Sequence, residues 1–139
     1  DRFVTLALCV LDLNTNKMTI VNAGHMPPIL QKSATGEITQ LAMEESGLPL
    51  GIMEDFEYES IEVQIDPGDQ IVLYTDGINE AMNADGEQLT TEAMIEDMAS
   101  GQAKNPDAIG NLIRESVARH SGRHPAIDDM CLVCLGRKP

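Results

Sequence analysis

The rhythm of apolar and polar positions changes once along this chain. Up to about residue 75 the apolar positions run unbroken or alternate; beyond about residue 90 they recur near every 3.6 residues. Phe3 to Leu11 is almost continuously apolar, which predicts a strand covered on both faces. Asn14-Thr15-Asn16-Lys17 supplies turn residues, and Met18 to Asn22 returns as the second strand of a hairpin. Ala23 to Pro28 reads as a tight loop. Ile29 to Lys32 and Glu37 to Leu41 predict another hairpin around Gly36, followed by the apolar loop Gly47-Leu48-Pro49-Leu50-Gly51. Tyr58 to Ile65 alternates, with Ile61, Val63 and Ile65 on one face and Glu62 and Gln64 on the other, a half-buried strand. The turn Pro67-Gly68-Asp69 leads into Gln70 to Thr75, a buried strand.

Helical spacing then takes over. Thr90 to Ser100 places Met94, Ile95 and Met98 on one face. Asn105 is a good N-cap and Pro106 suits a first helical turn. The helix from there to about Ser121 is expected to bury Ile109, Leu112, Ile113 and Val117, and Met130 to Leu135 forms a last strand. Strands, then two helices, then one strand predict an α+β layered fold rather than alternating βαβ units. No repeat, low-complexity tract or linker divides residues 1–139.

The 139 residues suffice for one domain with a core. Aromatic residues are 3% and Trp is absent, so aliphatic and Met side chains must fill that core. The formal charge of −14 argues against nucleic acid and anionic membranes as partners. It would also repel a phosphorylated substrate unless cations neutralise the site. No apolar run is long enough to span a bilayer. Asp1-Arg2-Phe3-Val4 has no signal-peptide layout, and three cysteines without one suggest a reducing, cytoplasmic setting. Cys131 and Cys134 share the spacing of a redox or zinc motif, but inside a strand their sulfurs diverge. They and Cys9 read as buried small hydrophobes.

Two places carry candidate chemistry. Asp76 stands where a buried strand ends, with Gly77 behind it to admit a close backbone or ligand. Asp-Gly after a strand is ordinarily only a turn. Asp128 and Asp129 open the last strand, and adjacent like charges coexist readily when they share a hard cation. A solvated turn explains them equally, and strand alternation would aim at most one at any site. His25, in the Asn22-Ala23-Gly24-His25 loop, titrates in a useful range, yet a structural turn in which Asn22 and His25 bond backbone accounts for it. His120 and His124 lie at and beyond a helix C-terminus, where capping or exposure suffices.

Five segments in register, Phe3 to Leu13, Val21 to Leu30, Gly47 to Ile52, Pro67 to Gln88 and Asp128 to Leu135, resemble the metal-dependent serine/threonine phosphatases of the type 2C superfamily. The resemblance is nearest to the bacterial branch of sporulation stage II E proteins and stress-response sigma-factor regulators. It implies packed antiparallel sheets flanked by helices. It also implies a two-metal Mn²⁺ or Mg²⁺ centre with Asp76 and Asp128 as ligands and Asp129 as a weaker candidate. The reaction implied is hydrolysis of a phosphoserine or phosphothreonine ester on a regulatory protein such as an anti-sigma-factor antagonist, by metal-activated water and without a side-chain nucleophile.

Two departures bear on this. The family's Gly-Asp motif, whose Asp bridges both metals, and the two helices after it have no counterpart before Phe3. The chain therefore reads as the C-terminal two-thirds of such a domain, holding a partial site and inactive alone. Cys131 stands where the closing motif usually has Thr, a position expected to be buried. Two functions remain open: part of a phosphatase, or a catalytically incomplete phosphatase-like module that binds its partner. Either way, apolar surface around Phe3 to Leu11 is expected to drive self-association.

Overall fold

The computed structural model describes residues 2–139. In chain order it contains β1 (Leu6–Asp12), β2 (Lys17–Ala23), β3 (Ile29–Gln31), β4 (Ile38–Gln40), β5 (Ser60–Gln64), β6 (Gln70–Tyr74), α1 (Asp76–Asn79), α2 (Thr91–Gly101), α3 (Pro106–Ser121) and β7 (Leu132–Gly136). The strands form two antiparallel sheets, ordered β1-β2-β5 and β4-β3-β6-β7. Side-chain alternation then builds two cores from one sequence. Met18 and Ile20 of β2, Leu30 of β3 and Ile71 of β6 meet between the sheets. The intervening residues Ile29, Val72 and Tyr74 point the other way and pack with Met94, Met98, Ile109 and Ile113 of α2 and α3. Strand β6 is thus buried on both faces, as its unbroken apolar run predicts. The layers are sheet, sheet, helices, an α+β sandwich.

Register follows from these faces. Cys9, Ile20 and Ile61 lie in one row across β1, β2 and β5, all facing the inter-sheet core. Helix α3 starts where expected: Asn105 caps it by accepting from the Ala108 N–H at 2.9 Å, and Pro106 occupies its first turn. Ile109 and Ile113 are buried, while Leu112 and Val117 only flank the core. Gly136 sits opposite Gln70 on β7, where a β-carbon would lie 2.1 Å from Gln70 Oε1, so a larger residue there would have to displace the end of the Gln70 side chain.

The Pro67-Gly68-Asp69 turn is held by charge. Asp69 is 1% exposed and accepts from Lys32 Nζ at 2.7 Å and from the Ser33 and Asp66 N–H groups at 2.9 and 2.8 Å. Lys32 also reaches Asp66 at 2.7 Å.

Three expectations are corrected. Strand β1 is not covered on both faces: Cys9 packs inward, but Leu8 and Val10 are 48% and 57% exposed. Both helices that pack on a sheet, α2 and α3, lie against the β4-β3-β6-β7 sheet, so among the described residues no helix covers the outer face of β1-β2-β5. The cysteines are not buried hydrophobes: Cys9 and Cys134 are half-buried and Cys131 is exposed. Burial raises the Cys9 and Cys134 thiols above their ordinary range. The last strand also begins two residues later than predicted, so Asp128, Asp129 and Cys131 lie in the loop before it and do not alternate across it. No helix among the described residues is long and apolar enough to cross a membrane.

Candidate functional site

The candidate site forms where β6 and β7, antiparallel neighbours, meet their loops. Tyr74, the last residue of β6, pairs with Leu132, the first of β7. Asp76 follows one end and Asp128-Asp129 precede the other, so segments more than 50 residues apart in sequence become adjacent. Asp76 opens the single-turn helix α1 and is exposed; Asp128 and Asp129 are exposed as well.

The contact between the two loops is close. Thr75 N–H donates to Cys131 O at 3.1 Å, Thr75 Oγ1 accepts from Cys131 N–H at 2.9 Å and donates to Asp129 O at 3.2 Å. A β-carbon on Gly77 would lie 2.3 Å from Asp129 O, so the loop rests directly on the glycine backbone. Gly77→Ala is therefore expected to displace the Asp128-Asp129 loop and to cost about 1–3 kcal/mol, as overpacking generally does. Thermal unfolding reads the cost, and amide shifts at residues 128–131 read the displacement. Asp128 Oδ1 accepts the Asp129 N–H at 2.7 Å, which fixes one carboxylate oxygen and leaves Oδ2 to the surroundings.

The loop from Ala23 to Met26 flanks the site. Asn22 is fully buried; its Oδ1 accepts the His25 N–H at 2.8 Å and its Nδ2 donates to His25 O and Ala42 O at 3.0 and 3.4 Å. Gly24, at φ +64°, faces Pro49, where a β-carbon would come within 2.6 Å. This is the structural turn expected of that segment. His25 Nδ1 lies 3.0 Å from Met26 O. The residue still borders the site: Thr5, His25, Met26, Thr75 and Asp76 line a cavity of about 60 Å³. His120 and His124 stand apart, His120 Nε2 lying 2.9 Å from Glu87 O and His124 Nδ1 3.1 Å from Pro125 O.

The donors present are carboxylates, suited to hard divalent cations such as Mn²⁺ and Mg²⁺. Asp76, Asp128 and Asp129 would by themselves supply at most part of such a centre. Among the described residues no three His, Cys, Asp or Glu side chains group closely enough to hold a metal ion. Sequence reasoning named Asp76, Asp128 and Asp129, and the structure brings the loop that holds Asp128 and Asp129 against Thr75 and Gly77. That reasoning missed the part played by Thr75, which depends on a partner 54 residues away, and the contribution of Thr5 and His25 to the cavity wall.

Comparison with known proteins bears on the fold and the family. The phosphoserine phosphatase RsbU of Bacillus subtilis is 27% identical over 141 residues, an alignment covering 98% of this chain and 39% of RsbU. The phosphatase domain of the cell fate determinant SpoIIE from Bacillus subtilis superposes with a TM-score of 0.73 at 22% identity, covering 97% of this chain and 59% of that one. A manganese-presoaked form of that domain superposes at 0.70, with 22% identity, over 96% of this chain and 56% of that one. The RsbU and RsbW domains of a Mycobacterium tuberculosis protein give 0.76 at 23% identity, covering 97% and 37%. The fold is that of type 2C phosphatase domains, of which this chain covers a part. It spans well under half the length of curated relatives such as RsbU. The family described as Stage II sporulation protein E (SpoIIE) matches residues 1–138, and the chain belongs to it.

Proposed function

We propose that this chain is part of a metal-dependent phosphatase that hydrolyses phosphoserine or phosphothreonine on a regulatory protein of a sigma-factor pathway. The observation that carries the reading is the seating of the Asp128-Asp129 loop on Thr75 and Gly77, which brings it beside the exposed Asp76. Asp76 and Asp128 would hold Mn²⁺ or Mg²⁺, with Asp129 next to them. A bound metal pair supplies an acidified water and neutralises phosphoryl charge. The chain's own part is to fix its carboxylates on two joined strand ends, which need little reorganisation, and to leave their outer side open to a phosphorylated loop. With a formal charge of −14, it offers a phosphate no general attraction, so recognition depends on the loaded site.

A second reading, a phosphatase-like module that binds its partner without hydrolysis, is favoured by the absence among the described residues of a cluster of three metal-binding side chains. The proposal expects this chain to lack a bridging ligand and to be inactive by itself. The test is phosphate release from a phosphoserine peptide by the protein at its full natural length, in a cytoplasm-like reducing buffer. Release that requires Mn²⁺ or Mg²⁺ and stops with a chelator supports hydrolysis. Tight peptide binding without release moves the binding reading ahead.

The isolated chain is also expected to self-associate through the uncovered face of β1, where Leu6, Leu8 and Val10 are exposed. Light scattering should show a species larger than 15.1 kDa that shifts toward monomer in a Leu8→Glu/Val10→Lys double variant. A clean wild-type monomer would contradict this.

A further inference from the structure

Thr75 stands at the N-cap position of α1, where a threonine hydroxyl ordinarily accepts an N–H of the first helical turn. Here it makes no such bond. The hydroxyl is used across the site, accepting from Cys131 N–H at 2.9 Å and donating to Asp129 O at 3.2 Å. Thr75 N–H adds a third link, to Cys131 O at 3.1 Å, and Gly77 supplies a bare surface under Asp129 O. Asp76 therefore lies between the two residues that hold the opposite loop. A hydroxyl taken from a local cap and given to a segment 54 residues away serves the relation between the loops rather than the helix.

We infer that Thr75 is a positioning residue: its hydroxyl sets the Asp128-Asp129 loop in register with Asp76, so that carboxylates from both loops face one cation. This rests on the metal-phosphatase reading of the same site. The backbone link from Thr75 N–H and the Gly77 contact survive in Thr75→Val, which keeps the branched shape and removes only the hydroxyl. The loop then stays near β6 but loses its register. Thr75→Ser retains both hydroxyl bonds.

The test uses Mn²⁺ itself as the probe. Its unpaired electrons broaden the amide resonances of residues near it, and these are followed in the whole chain as Mn²⁺ is added. In the wild type, Asp76 and Asp128 are expected to broaden over the same range of Mn²⁺. In Thr75→Val both resonances should need about tenfold more Mn²⁺ than in the wild type, the lower end of the loss when a group behind a metal ligand is removed. Amide exchange at Cys131 should rise in step. Thr75→Ser should restore both. Broadening at the wild-type Mn²⁺ concentrations and unchanged Cys131 exchange in a folded Thr75→Val chain would overturn the inference. Absence of wild-type broadening at both Asp76 and Asp128 would instead overturn the metal reading beneath it. Cys131 exchange would then still show whether the hydroxyl joins the loops.

Discussion

Asp76→Asn is expected to abolish Mn²⁺-dependent phosphatase activity in the protein at its full natural length, a fall of more than about 100-fold. Loss of a group merely behind a metal ligand already costs roughly 10–100-fold, and Asp76 is proposed as a ligand itself. Asn keeps the size and one carbonyl oxygen but removes a negative charge that strengthens the hold on a hard divalent ion. Asp76 is exposed, and its carboxylate caps no other described group, so the fold should tolerate the change. Unfolding midpoints within a few degrees of wild type, together with lost activity, would place the defect in the site. Full activity in Asp76→Asn would remove Asp76 from the centre.

The largest effect on stability is expected at Asp69. Asp69→Ala leaves Lys32, whose side chain is 27% exposed, without its buried partner, and strips the Ser33 and Asp66 N–H groups of their acceptor. Breaking a buried pair from one side costs roughly 3–5 kcal/mol, and the partial exposure of Lys32 places this case near the lower end, about 3 kcal/mol. Burial pushes the Asp69 carboxyl up, but the Lys32 ammonium and the two N–H groups outweigh it and hold the carboxyl below its usual range. A carboxyl with a lowered folded-state pKa stabilises fully above its unfolded value of about 3.9, and that contribution is lost as pH falls through the folded value. The stability gap between wild type and Asp69→Asn, measured in urea, should therefore be widest near neutrality and narrow below about pH 4. A gap constant from pH 7 to pH 3 would show that charge is not what holds the turn.

Much of this architecture was legible in the chain because local signals agreed. Ile71 to Tyr74 is too apolar for a surface strand, and Asn105-Pro106 marks the start of α3 by capping chemistry alone. The face of β5 followed from strict alternation. What failed depended on context. An unbroken run such as Phe3 to Leu11 looks the same whether both faces are covered or one is bare. Helix α1, four residues long, is too short to show a period. Cys131 was given to a strand that begins one residue later, which reversed its exposure. At the site, residue type was enough to single out Asp76, Asp128 and Asp129. The clasp through Thr75 was not legible, because it is a tertiary contact between the residue after β6 and the loop before β7.

The most direct measurement is phosphate release from a phosphoserine peptide at saturating Mn²⁺, made side by side on this 139-residue chain and on the protein at its full natural length. The account predicts release by the longer protein and none by the folded chain alone, since Asp76 and Asp128 would hold only part of the proposed centre. No release by the longer protein, folded and loaded with Mn²⁺, would contradict it and leave a binding module. Equal release by both would contradict the claim that the site within these residues is incomplete.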